Sequence, residues 1–289
     1  MRANKIKIGF IGLGIMGKPM VVNLCKAGYP LWIYARRAES MQPLLAMGAT
    51  ACPSVQELAR QVDVIFLNVS DTPDVEQLVE SLMHSAQPGS VVVDMSTISP
   101  SATRTMAQAL NSRNIEMLDA PVSGGEAGAI NATLSIMVGG KADIFEQIKP
   151  ILAVLGKNIV HVGEHGAGQV AKACNQIVAG MTIQAVAEAL TFARTSGVDP
   201  TKVREALMGG FAASKILEVH GKRMLDKNFT PGFKARLHQK DIAIVMQAAA
   251  ELGMALPGTT QVMNSLDALV KAGHGEMDSS AIMKIIAQK

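Results

Sequence analysis

Aromatic residues are scarce in this 289-residue chain: seven Phe, two Tyr and one Trp. Charge is balanced as well, with 27 Lys and Arg against 24 Asp and Glu, a formal net charge of +3 and no block of one sign. A protein whose main partner is nucleic acid needs a basic face with aromatic platforms, so this balance argues against one. Cysteine is rare. Cys25, Cys52 and Cys174 have neither metal nor redox spacing and read as free thiols of a reducing compartment. The histidines at 84, 161, 165, 220, 238 and 274 form no H-E-x-x-H pair, so no metal site is expected. No apolar run of membrane-spanning length stands out. The chain enters its first strand within a few residues of Met1, leaving no room for a leader, and a cytoplasmic protein is expected. What is left is a globular composition, 48% hydrophobic, at a length that suits one large domain or two ordinary ones.

Glycine, by contrast, is placed with purpose. An apolar stretch over residues 6–11 reads as a buried strand and is followed at once by Gly12, Gly14 and Gly17 at G-x-G-x-x-G spacing. Residues 15–27 then have helical length with apolar positions on one face. Strand, glycine turn and helix is the arrangement that binds dinucleotides. The first glycine allows the tight turn, the second lets backbone approach a pyrophosphate, and the third lets helix and strand pack closely. The run Gly12, Leu13, Gly14, Ile15 and Met16 is therefore expected to meet the cofactor, with the helix N-terminus facing its phosphates. A second strand at 31–35 leads into Arg36 and Arg37. It lacks the acid that reads the ribose 2′-hydroxyl of NAD, and guanidinium groups bind phosphate through paired donors. Arg36, with Arg37 and Ser40, favours NADP(H), with NAD(H) possible.

Further strands are expected at 62–69, 90–95, 115–120, 134–138 and 158–162, separated by helices such as 55–60, 100–112 and 141–155. Ser99 before Pro100 makes a good helix start. This alternation predicts an α/β fold: a Rossmann-type, doubly wound, mainly parallel sheet with ligands at the carboxyl ends of its strands. After the glycines at 163, 166 and 168 strand signals stop, and helices are expected at 169–196, 200–208, 213–225, 236–252, 259–272 and 279–289. The change of period divides the chain into a dinucleotide-binding domain, 1–164, and an all-helical substrate and oligomerisation domain, 165–289. The helix at 169–196 is apolar on more than one face, as suits a domain spine and subunit contact, and a homodimer or homotetramer is expected.

Three polar clusters stand out. The run Asp119 to Gly125 follows a strand with consecutive small residues, which suits a backbone nest for a carboxylate or oxyanion but equally a plain corner. Lys172, Asn175 and Gln176 share one face of an otherwise apolar helix, so Lys172 either snorkels to water or points into a cleft. Lys240-Asp241, with Phe233 and His238 upstream, reads on its own as a solvated pair.

The segments FIGLGIMGKPMVVNL (10–24), DMSTISP (94–100), DAPVSGGEAGAINATLSIMVGG (119–140), GAGQVAKACNQ (166–176) and HQKD (238–241) together resemble the β-hydroxyacid dehydrogenase family. The match runs in order along nearly the whole chain, and DAPVSGGE with LSIMVGG is most similar to its tartronate semialdehyde reductase branch. Val21 stands where the family has Ser or Ala, a matter of helix packing. Ala35 stands where similar members often have Asp, which strengthens the phosphate reading. The resemblance implies that Lys172 is catalytic and Asn175 binds substrate beside it. It implies that Ser123, Gly124 and Gly125 take the substrate carboxylate, that Thr97 and Lys240 contact the cofactor, and that Val69 and Ser70 line the nicotinamide ribose. The activity implied is NADPH-dependent reduction of tartronate semialdehyde to glycerate, with Lys172 as general acid in reduction and base in reverse. Glyoxylate, succinic semialdehyde or 3-hydroxyisobutyrate as substrate, and a dinucleotide-binding sensor without turnover, stand as alternatives.

Overall fold

The structure is a computed structural model and describes residues 6–287. Residues 288 and 289, expected to close the last helix, lie outside that range. The chain divides into two compact units, Met1–Lys172 and Ala173–Lys289.

The first unit opens with β1 (Ile8–Ile11), α1 (Gly17–Lys26), β2 (Leu31–Tyr34), a short α2 (Gln42–Leu45), β3 (Thr50–Ala51) and α3 (Val55–Ala59). It continues through β4 (Val64–Leu67), α4 (Thr72–Met83), β5 (Val91–Asp94), α5 (Pro100–Asn111), β6 (Glu116–Asp119) and β7 (Val122–Ser123). Then come α6 (Gly125–Ile130), β8 (Leu134–Gly139), α7 (Ala142–Leu152), β9 (Gly156–Gly163) and the start of α8 (Ala167–Thr195). Among the described residues nine strands form one sheet in the order β3-β2-β1-β4-β5-β6-β8-β7, with β9 also paired to β8. The strands from β1 to β6 are mutually parallel. β8 runs antiparallel to β6 and β7 and parallel to β9.

Strand alternation feeds two hydrophobic layers. Val64 and Phe66 of β4 join Phe10, Met20, Leu24, Ile148 and Leu152 on one face. Ile65 and Leu67 join Leu58, Val79, Leu82 and Leu110 on the other. A strand covered by helices on both sides is expected to be apolar along its length; β4 is apolar at all four positions, and β5 is three valines before the buried Asp94. Ser99 caps α5 as expected, its hydroxyl accepting from the Ala102 N–H at 3.3 Å. Asp71 does the same for α4, with Pro73 in the first turn.

The second unit comprises the rest of α8, then α9 (Pro200–Met208), α10 (Lys215–Leu225), α11 (Ala235–Glu251), α12 (Pro257–Leu269) and, after an irregular turn, α13 (Met283–Ile286). Its core gathers Ile183, Ala187 and Leu190 of α8 with Leu217, Ile242, Leu266 and Ile282. The sequence placed a boundary at 164; the compact division falls inside α8, between Lys172 and Ala173. One expectation needs correction. By length and composition alone α8 is able to cross a membrane, its most apolar window having a mean hydropathy of 1.3. The alanines, glycines and threonines that dilute the run hid this. Under half of that window, 44%, is buried inside the structure.

Candidate active site

Each fingerprint glycine has a separate steric duty. Gly12 leaves β1 with φ +103°, and a Cβ there would overlap the Asn68 carbonyl. A Cβ on Gly17 would overlap the Gly12 carbonyl, where α1 packs on the turn. Around Gly14 nothing lies within 4 Å of a Cβ position, so the backbone is open to a ligand. A groove of about 200 Å³ runs past Gly12 and Gly14 and is bounded by Arg36, Arg37, Val69 and Ser70. A cleft of about 380 Å³ shares Leu13, Gly14, Arg37 and Ser40 with it and adds Ile15, Lys18 and Glu126. This cradle, with its open glycine and guanidinium rim, fits a dinucleotide. Met16 packs its side chain against the core and has only backbone to offer. Thr97 is half-buried just past β5; next to it, the Ser96 hydroxyl accepts from the Val69 N–H at 3.0 Å.

Among the lining residues that sequence reasoning missed, Asp74 bears on Arg36. Asp74, in the first turn of α4, accepts from Arg36 Nη1 at 3.3 Å. The Arg36 side chain is 77% exposed, so the contact is a loose surface pair. No spacing rule links residues 36 and 74; only the pairing of β1 with both β2 and β4 brings them together.

Lys172 does not snorkel. It is 7% exposed, and Nζ donates to the Val122 carbonyl at 2.9 Å. The structure thus brings Lys172 to the corner of Ser123, Gly124 and Gly125. Ser123 ends β7, paired across to Ser135. Gly124 and Gly125 follow with φ of +135° and +62°, which turns the chain sharply into α6. Two contacts that the sequence did not indicate hold α8 here. The buried Asp119 carboxylate accepts from the Gly166 N–H at 2.8 Å and the Gln169 N–H at 2.9 Å. Burial pushes this carboxyl above its ordinary value, against the pull of the two N–H groups. Gln169 donates to the Ser96 carbonyl at 2.8 Å and accepts from the Ile98 N–H at 3.1 Å.

The second unit has its own buried polar chain. Asn175 Nδ2 donates to Gln176 Oε1 at 2.8 Å, and Gln176 Nε2 donates to Asp241 Oδ2 at 2.7 Å. Lys240 Nζ lies 2.9 Å from Asp241 Oδ1, with side-chain exposures of 19% and 4%. Asp241 is therefore buried and Lys240 half-buried rather than both solvated, because α11 turns this face toward α8. His238 is buried with its ring 5.7 Å from that of Phe233. The segment entering α11 is pinned by Asp278, which accepts from the Gly232 N–H at 3.0 Å and the Phe233 N–H at 3.1 Å. Burial opposes the charge on Asp278, but His220 and Ser280, with the backbone N–H groups, outweigh it and hold the carboxyl well below the usual carboxylate range.

A doubly wound sheet, an open glycine cradle and a buried lysine beside a small-residue corner define the class: an oxidoreductase that works with a nicotinamide dinucleotide. Known proteins narrow it. The family model described as the NAD binding domain of 6-phosphogluconate dehydrogenase matches residues 7–163. That described as NAD-binding of NADP-dependent 3-hydroxyisobutyrate dehydrogenase matches residues 166–286. The chain is 45% identical to 2-hydroxy-3-oxopropionate reductase of Escherichia coli K12, over 97% of both chains. It is 34% identical to NAD-dependent L-serine dehydrogenase of Pseudomonas aeruginosa, covering 96% of this chain and 97% of the other. The structure of Mycobacterium tuberculosis 3-hydroxyisobutyrate dehydrogenase with L-serine superposes with a TM-score of 0.90 at 30% identity, covering 98% of this chain and 99% of that one. The chain belongs to the NAD(P)-dependent β-hydroxyacid dehydrogenase family.

Proposed function

We propose that the protein reduces 2-hydroxy-3-oxopropionate (tartronate semialdehyde) to glycerate, using NADPH in preference to NADH. The observation that carries the mechanism is the buried Lys172 ammonium, held by the Val122 carbonyl at 2.9 Å beside Ser123. The substrate follows the 45% identity to a reductase of that name; the cofactor follows Arg36, Arg37 and Ser40 on the groove.

When bound, the nicotinamide supplies the hydride for the carbonyl carbon. The Ser123 hydroxyl and the N–H groups of Gly124 and Gly125 hold the substrate carboxylate, which fixes the aldehyde's orientation. Lys172 hydrogen-bonds the carbonyl oxygen and gives it a proton as negative charge develops there. The Val122 carbonyl accepts from the ammonium and so holds it beside Ser123. In reverse, Lys172 receives the proton of the hydroxyl. Lys240 and Thr97 contact the cofactor, with Val69 and Ser70 on its nicotinamide ribose. A homodimer or homotetramer in the cytoplasm fits the exposed apolar residues of α8, among them Val178 and Phe192, and the metabolic relatives.

The test is the loss of NADPH absorbance with 2-hydroxy-3-oxopropionate, glyoxylate, succinic semialdehyde and an uncharged aldehyde. The reading expects the highest kcat/KM for the first and poor use of the last. Preference for another acid would replace the substrate. Cofactor binding with no turnover on any would favour a sensor.

A further inference from the structure

Asn175 sits at the end of a hydrogen-bonded chain whose polarity is dictated from the far end. Asp241 accepts from both neighbours: Lys240 on Oδ1 at 2.9 Å and Gln176 Nε2 on Oδ2 at 2.7 Å. A carboxylate only accepts. It therefore compels Gln176 to present its nitrogen to Asp241 and its oxygen to Asn175. Gln176 Oε1 in turn compels Asn175 to donate through Nδ2, which it does at 2.8 Å. Amide orientation is often ambiguous; here the charge settles it twice over. Asn175 Oδ1 is then the acceptor that the amide has left to offer. Gln176 and Asp241 are 4% and 3% exposed, so water does not compete for the arrangement.

We propose that Gln176 is a positioning residue, and that by fixing the Asn175 amide with Oδ1 as its offered end it makes the enzyme select substrates carrying a hydroxyl on C2. This rests on the proposed reduction of 2-hydroxy-3-oxopropionate. In that substrate the carboxylate and aldehyde oxygens only accept, and the C2 hydroxyl is the donor. An amide held with its oxygen outward pairs with that hydroxyl and leaves its own acceptor unmatched against a substrate lacking it. A site built to bond a hydroxyl discriminates against the deoxy analogue for this reason.

The experiment uses the full-length enzyme in the oxidative direction, where both probes are stable. Glycerate and 3-hydroxypropionate differ only by the C2 hydroxyl. Wild type is expected to favour glycerate by at least about tenfold in kcat/KM, the scale of one hydrogen bond and one stranded acceptor. Gln176→Leu breaks the chain and is expected to lower that ratio about five- to tenfold, with NADPH affinity unchanged within about twofold. Asp241→Asn tests polarity without removing a bond. Lys240 takes the new carbonyl oxygen, so the new amide nitrogen faces Gln176, and the chain reverses to turn Asn175 Nδ2 outward. The same collapse of the ratio is expected. A wild-type ratio near one, or a ratio that survives in either variant while both rates fall together, overturns the proposal and leaves Gln176 a structural role. Turnover of neither probe overturns the proposal and the substrate assignment beneath it; turnover of both without discrimination overturns the proposal alone.

Discussion

Replacing Arg36 by Asp should turn the cofactor preference toward NADH. The guanidinium lies 77% exposed on the groove rim with one loose bond to Asp74, at 3.3 Å. A ribose 2′-phosphate offers it charge-assisted hydrogen bonds, worth about 1.5–3 kcal/mol. Against this stands the loss of the exposed Arg36–Asp74 pair, about 0.2–1 kcal/mol. The net gain for NADPH over NADH is on the order of 1–2 kcal/mol, or roughly 5–30-fold, and Arg36→Ala should forfeit about that much. The Asp variant adds a second carboxylate beside Asp74, costing about 1 kcal/mol more at about 4 Å in the dielectric of water that surrounds so exposed a rim. The selectivity should therefore shift by roughly 30–150-fold, nearly all of it in NADPH. Fluorescence titration of both reduced cofactors measures the two dissociation constants directly. The fold should not suffer, because an exposed monodentate pair contributes little stability. A shift below about fivefold, or a wild type that binds NADH more tightly, would refute the assignment of Arg36 to the phosphate.

Three further outcomes are expected. Lys172→Ala should lower kcat about 10²–10⁴-fold while NADPH still binds, the usual range for general acid assistance; retention of a third of wild-type kcat removes the lysine from the chemistry. Gly124→Val should lower kcat/KM for carboxylated aldehydes far more than Ser123→Ala does. At φ +135°, with Leu134 Cδ2 3.2 Å from a Cβ, the valine strains the corner, whereas alanine removes one donor; the opposite ranking would count against a backbone carboxylate site. Asp278, whose carboxyl is held below its usual range, should stabilise the protein above the unfolded carboxylate pKa of about 3.9. That stability should fade as pH falls below about 4. The difference in Tm between wild type and Asp278→Asn is therefore expected to shrink from pH 6 to pH 3, and a constant difference would contradict it.

Which parts were legible from sequence follows from how far apart the interacting residues lie. The glycine turn was legible because its three glycines stand within six residues of one another, although Gly12 also answers to the distant Asn68 carbonyl. β4 announced itself by an unbroken apolar run and β5 by three consecutive valines, and Lys172 by a helical face on which it was the one charge. β3 and β7, at two residues each, are too short to carry a period. Nothing local told that β8 reverses direction, because a strand reads alike either way. The polar partners were the least legible. Asp74 lies 38 residues from Arg36, and Asp241 lies 65 from Gln176. Such pairs are set by strand order and helix packing, which a linear pattern does not encode. Lys240-Asp241 was visible, but as a surface pair, since its burial depends on a helix more than sixty residues away.

The placement of Lys172 shows how these distant contacts make local chemistry. A lysine one turn into a helix that begins at the edge of a sheet would ordinarily extend its stem to water. Here the start of α8 is tied down before the lysine is reached. Asp119, ending β6, takes the N–H groups of Gly166 and Gln169, and Gln169 takes backbone groups on either side of Thr97. Two glycines make this closeness feasible. A Cβ on Gly139 would stand 2.6 Å from Asp119 Oδ1, and one on Gly168 would stand 2.6 Å from the Asp119 carbonyl oxygen. Gly168 therefore belongs to the helix rather than to the loop before it, and its duty is to let α8 lie against the strand ends. A carboxylate at a helix N-terminus also opposes the partial positive charge there, which favours its ionised form against the cost of burial. The helix axis is thereby set before Lys172, and the ammonium has the Val122 carbonyl within reach rather than solvent. In the proposed reaction the residues that aim Lys172 are a buried acid, a buried amide and two glycines, each set by a partner far away in the sequence.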